Sequence, residues 1–174
     1  MLQSRTTLVW MVLGLAICQA CSTKEDGPQL QAMRVNATTI EAGLQYNIIN
    51  RNSGKAIEVE NGATQNGANI RQWSNQDQEG AVWQFHEMGN GYYAIINTKS
   101  QKALDVEYGA MDNGANIHQW EQVNQASAQW KLEDVGDGVH FRILNRHSGK
   151  ALDVYAGYVS DGANIHQWEY VSQR

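Results

Sequence analysis

The sequence predicts an all-β domain built from three similar repeats of about 47 residues. The segment GANI-x-QW occurs at residues 67–73, 114–120 and 162–168, so successive copies begin 47 and 48 residues apart. In each copy, apolar and polar residues alternate over short segments that are separated by turns rich in Asn, Ser and Gly. No window keeps the 3.6-residue period of an amphipathic helix. A repeat of this length indicates one supersecondary unit per copy.

Four strands are predicted in each copy. In the second copy they cover residues 92–96, 102–106, 116–120 and 129–133, and turn residues separate them. The segment Lys-Ala-Leu-Asp-Val recurs in the third copy, and Lys-Ala-Ile-Glu-Val replaces it in the first. Three such units can close on themselves, which buries one shared core and removes free sheet edges. Twelve strands in three repeats fit a β-trefoil.

The third copy lacks its fourth strand, because the chain ends at Arg174, before a counterpart of the segments around Trp83 and Trp130. Residues 38–43 precede Tyr46 much as the Trp83 segment precedes the corresponding strand of the second copy. We therefore expect residues 38–43 to supply the missing strand, so that the first and last strands of the domain pair and close the fold.

The N-terminal residues are typical of an export signal. Arg5 precedes a short apolar run over residues 8–17, and the small residue Ala20 stands directly before Cys21. The run is too short to span a membrane comfortably. We expect residues 1–20 to be a signal peptide and favour Cys21 as the lipidated first residue of a bacterial lipoprotein over simple secretion.

Residues 21–36 are polar and contain the only proline, Pro28, which predicts a flexible tether before a folded domain over residues 37–174. Both cysteines, Cys18 and Cys21, precede that domain, so no disulfide is expected inside it. This organisation predicts an exported protein that is anchored through lipid at the bacterial cell envelope, or otherwise secreted.

Charge and motif content argue against several classes of function. The chain carries 13 basic and 18 acidic side chains, a net charge of −5, and an acidic surface repels the phosphates of nucleic acid. His118 and His166 stand at equivalent repeat positions, a third of a turn apart in a trefoil, so they cannot share a metal ion. No nucleophile with a base and no glycosidase-like carboxylate pair can be assembled. We expect no cofactor, no metal and no catalysis.

The segments Lys-Ala-Leu-Asp-Val and GANIHQW closely resemble ricin B-type lectins and the related carbohydrate-binding modules of bacterial xylanases, over roughly residues 38–174. The resemblance implies up to three shallow pockets, in each of which an Asp bonds two neighbouring sugar hydroxyls. It also implies an aromatic platform fifteen residues later, with a polar residue two positions before that platform. The implied sugar-binding residues are Asp105, His118 and Trp120 in repeat 2 and Asp153, His166 and Trp168 in repeat 3, with Tyr108, Tyr155 and Tyr158 as side walls.

The chemistry of such a pocket has a physical basis, because a carboxylate accepts charge-assisted hydrogen bonds from hydroxyls and an aromatic ring covers the apolar face of a sugar. Repeat 1 departs from the pattern, with Glu58 in place of Asp and Arg71 in place of His. We expect its pocket to be silent or altered. Trp73 persists there, which leaves packing and sugar contact both open as roles for the motif tryptophans. The two aspartates have turn capping as an alternative role.

Within the motif, strand geometry places alternate side chains on opposite faces. Asn116, His118 and Trp120 share one face, and Ile117 and Gln119 share the other. A glutamine on the inner face needs hydrogen-bond partners. The three motif glutamines are therefore predicted to be structural; they are Gln72, Gln119 and Gln167.

Two classes of function remain. The leading hypothesis is non-catalytic binding of a glycan or polysaccharide, with two weak pockets whose joint engagement raises avidity on a polymer. A glycan-active enzyme is a candidate partner. The alternative is a trefoil used for protein contact or adhesion, in which the same aromatic residues anchor an interface.

Overall fold

The structure is a computed structural model that describes residues 9–13 and 40–170. Over these ranges it contains twelve β-strands, five short 3₁₀ turns and no α-helix, and the strands form one antiparallel sheet. No helix in the described part of the chain has the length and apolar character to cross a membrane. The strands are β1 (Val9–Leu13), β2 (Tyr46–Asn50), β3 (Ala56–Val59), β4 (Ile70–Trp73), β5 (Trp83–Gly89), β6 (Tyr92–Asn97), β7 (Ala103–Val106), β8 (Ile117–Trp120), β9 (Gln129–Asp134), β10 (His140–Asn145), β11 (Ala151–Val154) and β12 (Ile165–Trp168).

Six of these strands form a closed barrel. In order around the barrel, β1, β2, β5, β6, β9 and β10 each pair with the next, and β10 pairs with β1 to complete the ring. The other six strands form three hairpins, β3–β4, β7–β8 and β11–β12, whose second strands contact one another. A six-stranded barrel with three hairpins is a β-trefoil, which confirms the fold predicted from the repeats.

The strand that closes the barrel is not the predicted one. Residues 40–43 form no strand, because the chain turns there: the Leu44 amide donates to the Glu41 carbonyl at 3.4 Å, and Gly43 has φ +83°. A left-handed residue of this kind interrupts extended backbone. Residues 38 and 39 of the predicted strand lie outside the described residues.

The closing position belongs to β1. Val9 pairs with Asn50 on one side and Phe141 on the other, which is the register position that Trp83 and Trp130 hold in the first two repeats. This strand lies within the predicted signal peptide. A chain that keeps residues 9–13 closes its barrel with them, and a chain cut before Cys21 leaves β2 and β10 without this partner. Cys21 and the predicted tether lie outside the described residues.

One apolar core fills the barrel and the space under the hairpins. Trp83 and Trp130 are fully buried in it, together with an isoleucine from the first barrel strand of each repeat. The indole N–H of Trp83 donates to the Ile57 carbonyl at 3.1 Å, and that of Trp130 donates to the Leu104 carbonyl at 2.8 Å. Each bond ties a hairpin strand to the barrel strand that follows it in sequence. The isoleucines are Ile48, Ile95 and Ile143.

The three GANI-x-QW segments meet through a ring of asparagine amides. Asn116 Nδ2 donates to Asn69 Oδ1 at 3.2 Å, Asn164 Nδ2 donates to Asn116 Oδ1 at 2.9 Å, and Asn69 Nδ2 donates to Asn164 Oδ1 at 2.9 Å. Every member therefore donates once and accepts once within the ring. Such a closed set satisfies partly buried polar groups without water and fixes the three hairpins relative to one another.

The motif glutamines are structural, as predicted, and the structure shows that they join neighbouring repeats. Gln119 is fully buried; its Nε2 donates to the carbonyls of Ala63 and Gln65 in repeat 1, and its Oε1 accepts from the Ser100 hydroxyl. Gln72 and Gln167 make the equivalent three bonds. In each, Nε2 donates to two backbone carbonyls of a neighbouring repeat, and Oε1 accepts from a serine hydroxyl. This exchange of hydrogen bonds across each repeat boundary, together with the asparagine ring, is called the motif clasp below.

The motif glycines are required at the clasp. Gly67, Gly114 and Gly162 have φ between +78° and +85°, and a Cβ on any of them would lie 3.7–3.9 Å from the motif tryptophan of a neighbouring repeat. Each backbone N–H also donates across the repeat boundary to a motif glutamine carbonyl at 2.8–3.0 Å. Glycine adopts this backbone conformation without the steric cost that a side chain brings.

We predict that Asn116→Asp destabilises the fold by about 1–3 kcal/mol, because a carboxylate oxygen would then face the side-chain oxygen Oδ1 of Asn69 in place of a donor. Urea unfolding checks this prediction, and exposed Asn124→Asp is the matched control. Equal unfolding midpoints for the two variants would show that the asparagine ring contributes nothing measurable.

Candidate functional site

Repeat 2 pairs a carboxylate with an imidazole. Asp105 on β7 and His118 on β8 are direct cross-strand partners, and His118 Nε2 lies 3.2 Å from Asp105 Oδ2. A carboxylate only accepts, so this contact assigns the ring proton to Nε2. The Asp105 side chain is 4% exposed, and the His118 side chain is 6% exposed. Antiparallel pairing thus holds both groups in one fixed place.

Gln125 completes the arrangement in repeat 2. Its Nε2 donates to the same Asp105 Oδ2 at 2.9 Å, so that oxygen has two donors. Asp105 Oδ1 and His118 Nδ1 are buried and have no hydrogen-bond partner among the described residues. Buried polar atoms are rarely left in this state. With the ring proton on Nε2, both atoms are acceptors that lack a donor within the described residues.

Repeat 3 repeats the carboxylate and imidazole pair. Asp153 on β11 faces His166 on β12, and His166 Nε2 lies 3.2 Å from Asp153 Oδ2. Asp153 Oδ1 has no partner within the described residues, as in repeat 2. The Asp153 side chain is 18% exposed, so this carboxylate is more accessible than that of Asp105.

The motif tryptophans lie beside the imidazoles. The rings of His118 and Trp120 stack with centroids 5.3 Å apart at 14°, and those of His166 and Trp168 stack with centroids 5.5 Å apart at 30°. Trp168 is 45% exposed, and Trp120 is partly exposed. The structure therefore brings the predicted Asp, His and Trp together in both repeats, and each indole has one neighbour that limits how a ligand reaches it.

The predicted side walls differ between the two repeats. The Tyr155 ring contacts the His166 ring at 5.6 Å and the Tyr158 ring at 5.9 Å, so the two tyrosines and the imidazole form one aromatic cluster. Tyr108 is 95% exposed, and no ring contact joins it to another described residue. It occupies the second position of its turn, at φ 55°, whereas Tyr155 occupies the first position of the equivalent turn. Tyr108 thus stands beside its pocket and does not form a packed wall.

Repeat 1 is altered, as its sequence predicts. Arg71 Nε donates to Glu58 at 2.8 Å, and the other two guanidinium nitrogens donate to Glu60 and Asn61 at 3.1 and 3.2 Å. The guanidinium carbon also lies 4.2 Å from the Trp73 ring centroid. Burial raises the pKa of the Glu58 carboxyl above its ordinary value, and the ion pair with Arg71 opposes that shift.

Gln125 was not among the residues predicted from the sequence. The sequence nonetheless contains a pattern that indicates it, because a glutamine follows each motif tryptophan by five residues. These glutamines are Gln78, Gln125 and Gln173. The family resemblance directs attention to the third position before the next tryptophan, which is Ser127 in repeat 2. Gln173 lies outside the described residues.

The chain is a β-trefoil in which a carboxylate and an imidazole lie beside an indole in two of the three repeats. The profile of the ricin-type beta-trefoil lectin domain-like family matches residues 29–120 and 82–168, and the chain belongs to this family. Family membership supports carbohydrate binding as the general function of the domain. No curated protein sequence matches the chain.

Solved structures resemble the chain over most of its length. ThreeFoil, a designed threefold-symmetric protein, is 42% identical with a TM-score of 0.71, over 74% of this chain and 91% of its own. An exo-β-1,3-galactanase from Clostridium thermocellum is 35% identical with a TM-score of 0.71, over 76% of this chain but only 28% of its own. The C-half of the earthworm R-type lectin, solved with GalNAc, is 17% identical with a TM-score of 0.58, over 74% of this chain and 91% of its own. At this identity the similarity shows the fold alone.

We predict that Gln125→Ala weakens sugar binding by repeat 2 by about tenfold to a hundredfold, because a hydrogen bond to a charged group is worth about 1.5–3 kcal/mol. Calorimetric titration in an Asp153→Asn background isolates repeat 2. Exposed Gln122→Ala is the matched control. Unchanged affinity in Gln125→Ala would mean that the amide does not position the Asp105 carboxylate.

Proposed function

We propose that the protein binds glycans without catalysis, through one pocket in repeat 2 and one in repeat 3. The observation that carries the proposal is the carboxylate of each pocket, which keeps one buried oxygen without a donor among the described residues while the protein donates to the other oxygen. Asp105 and Asp153 are the central residues. A hydroxyl group of a sugar is the donor that such an oxygen accepts.

Each pocket has the parts needed to recognise a sugar. In repeat 2, one hydroxyl would donate to Asp105 Oδ1 and a neighbouring hydroxyl to His118 Nδ1. Charge-assisted bonds of this kind are short and directional, so they discriminate between hydroxyl arrangements. Exposed indole and phenol rings would cover the apolar face of the sugar, led by Trp168, Tyr155 and Tyr158 in repeat 3 and by Trp120 and Tyr108 in repeat 2.

We propose galactosides as the ligand class. The galactanase supports this class, because it is 35% identical to this chain over 76% of the chain. Galactose and GalNAc share an axial 4-hydroxyl, which leaves a continuous C–H surface on one face of the ring. That surface suits an aromatic neighbour, while the adjacent hydroxyls suit a carboxylate. Two shallow pockets on one rigid domain favour a polymer or a densely glycosylated surface, because the second contact is intramolecular.

Asp105→Asn with Asp153→Asn is expected to reduce retention on β-1,3-galactan at least tenfold, because the buried oxygens lose the charge that strengthens their bonds to hydroxyls. Each single substitution is expected to abolish polymer avidity and to keep weak binding of galactose. Exposed Asp112→Asn is the matched control. Full retention by the folded double variant would refute the assigned pockets.

A second candidate function is protein contact through the exposed side chains beside the repeat 2 pocket. Tyr108 and Met111 are both strongly exposed there, and aromatic and methionine side chains commonly anchor interfaces. A broad glycan array separates the two candidates. Loss of all glycan signal, with a protein partner crosslinked through Tyr108, would favour protein contact.

We also propose that residues 1–20 direct export and that Cys21 becomes a lipidated N-terminus, with residues 21–36 as the tether. Cleavage would remove β1, so barrel closure by Val9–Leu13 describes the precursor chain. A glycan-active enzyme at the same surface is the proposed partner class.

Mass spectrometry of the N-terminal peptide from envelope fractions tests this export route. The expected peptide begins at Cys21 and carries acyl chains, and Cys21→Ser should release the protein from the membrane fraction. A peptide that begins at Met1, without acyl chains, would contradict both cleavage and anchoring.

A further inference from the structure

Repeat 1 shows how this protein holds a cation beside a carboxylate and an indole. The Arg71 guanidinium donates through Nε to Glu58 Oε1 at 2.8 Å, and its carbon lies 4.2 Å from the Trp73 ring centroid. A carboxylate and the electron-rich face of an indole both attract a cation. By the repeat spacing, Glu58 and Trp73 correspond to Asp153 and Trp168. Repeat 3 therefore presents the same two kinds of group.

The carboxylate of repeat 3 has no such cation. His166 stands where repeat 1 has Arg71, and its Nε2 lies 3.2 Å from Asp153 Oδ2. A neutral imidazole with its proton on Nε2 makes this bond without bringing a charge. Within the described residues, no lysine or arginine forms a salt bridge with Asp153. Asp153 Oδ1 and Glu58 Oε2 both lack a partner there, so the two repeats differ in the cation and not in the free oxygen.

Aromatic rings lie beside the Asp153 and His166 pair. The Tyr155 ring contacts the rings of His166 and Tyr158, and the Trp168 ring stacks on that of His166 with centroids 5.5 Å apart. Tyr155, Tyr158 and Trp168 are each about half exposed. Proteins hold ammonium groups in such surroundings, because ring faces attract the cation and a carboxylate accepts its N–H groups. The repeat 3 pocket thus offers a ligand cation both kinds of contact.

The hairpin that carries this pocket is acidic. Residues 150–170 contain three acids and, apart from the histidine, one base. The acids are Asp153, Asp161 and Glu169, and the base is Lys150. Lys55 neutralises Asp161 at 2.7 Å, whereas Asp153 and Glu169 have no lysine or arginine partner within the described part of the chain. A local excess of negative charge attracts a cationic ligand.

We infer that the repeat 3 pocket prefers galactosides that carry a free amine, whose ammonium takes the place that the Arg71 guanidinium has in repeat 1. This inference rests on the proposed binding of galactosides by repeat 3. In galactosamine the ammonium at C2 neighbours the hydroxyl at C3, so the sugar offers the carboxylate and the imidazole two adjacent donors. The ammonium donates to Asp153 Oδ1 and lies against the tyrosine rings, with a charge–charge attraction that a hydroxyl lacks.

Acetylation of the amine separates the effect of charge from that of ring shape. N-acetylgalactosamine keeps the galactose ring, but the group at C2 is then a neutral amide. An amide is attracted to a carboxylate and to ring faces less strongly than an ammonium is. The ligand class of repeat 3 is therefore unacetylated galactosamine, alone or at the end of a glycan.

Calorimetric titration of the Asp105→Asn variant tests the inference, because repeat 3 then keeps the one proposed pocket with an intact aspartate. At neutral pH and low ionic strength, galactosamine is expected to bind about tenfold more tightly than galactose. N-acetylgalactosamine is expected to bind no more tightly than galactose. Added salt should weaken the binding of galactosamine and leave that of galactose unchanged, since screening acts on the attraction between charges.

A pair of substitutions at Tyr155 tests the ring contact in the same background. Tyr155→Leu keeps an apolar side chain but removes the ring face, so the preference for galactosamine over galactose should fall about threefold. Tyr155→Phe keeps the ring and should keep the preference. An unchanged preference in a folded Tyr155→Leu variant would contradict the placement of the ammonium against the tyrosine rings.

Three results would overturn the inference in distinguishable ways. If the folded Asp105→Asn variant binds galactose but binds galactosamine no more tightly, the inference is wrong and the proposed function stands. If arginine, which brings a guanidinium without a sugar, binds as tightly as galactosamine, the site recognises a cation alone and the assignment to amino sugars is wrong. If the folded variant binds no galactoside, with or without an amine, the proposed ligand class fails and the inference fails with it.

Discussion

The motif clasp is the interaction on which the rest of this structure depends. Each buried motif glutamine bonds two backbone carbonyls of a neighbouring repeat, and the asparagine ring links all three hairpins. The protein has no disulfide available inside the domain, so these side-chain bonds and the apolar core must set the relative positions of the repeats. The clasp fixes the hairpins, and the hairpins in turn fix the geometry of the cross-strand partners Asp105–His118 and Asp153–His166.

The glutamines of the motif clasp and the pocket residues lie on opposite faces of the same strands. Gln119 and Ile117 are fully buried on the inner face, while His118 lies between them in sequence and faces Asp105. Because side chains alternate along a strand, a pocket residue can change without disturbing the clasp. Repeat 1 illustrates this separation: Gln72 keeps its structural bonds, although Arg71 beside it has altered the pocket.

The sequence predicted those parts of the structure that depend on periodicity. Strand alternation placed Gln119 inward and His118 outward, and the repeat spacing predicted the trefoil. Gln125 was missed because it reaches Asp105 from a loop, where no strand period constrains the side chain. The closing strand was misplaced because an apolar run such as residues 9–13 has the composition of both an export signal and a buried strand, and pairing partners distant in sequence decide between them. The three hydrogen bonds of Arg71 were also not predicted, because they depend on tertiary geometry.

The central claim is that this threefold structure carries two working sugar sites. Native mass spectrometry with galactose counts them directly, because each occupied pocket adds one sugar mass to the intact chain. The account predicts a maximum of two bound sugars in the wild-type protein and of one in Asp105→Asn. Two sugars retained by Asp105→Asn, or three bound by the wild-type chain, would contradict it.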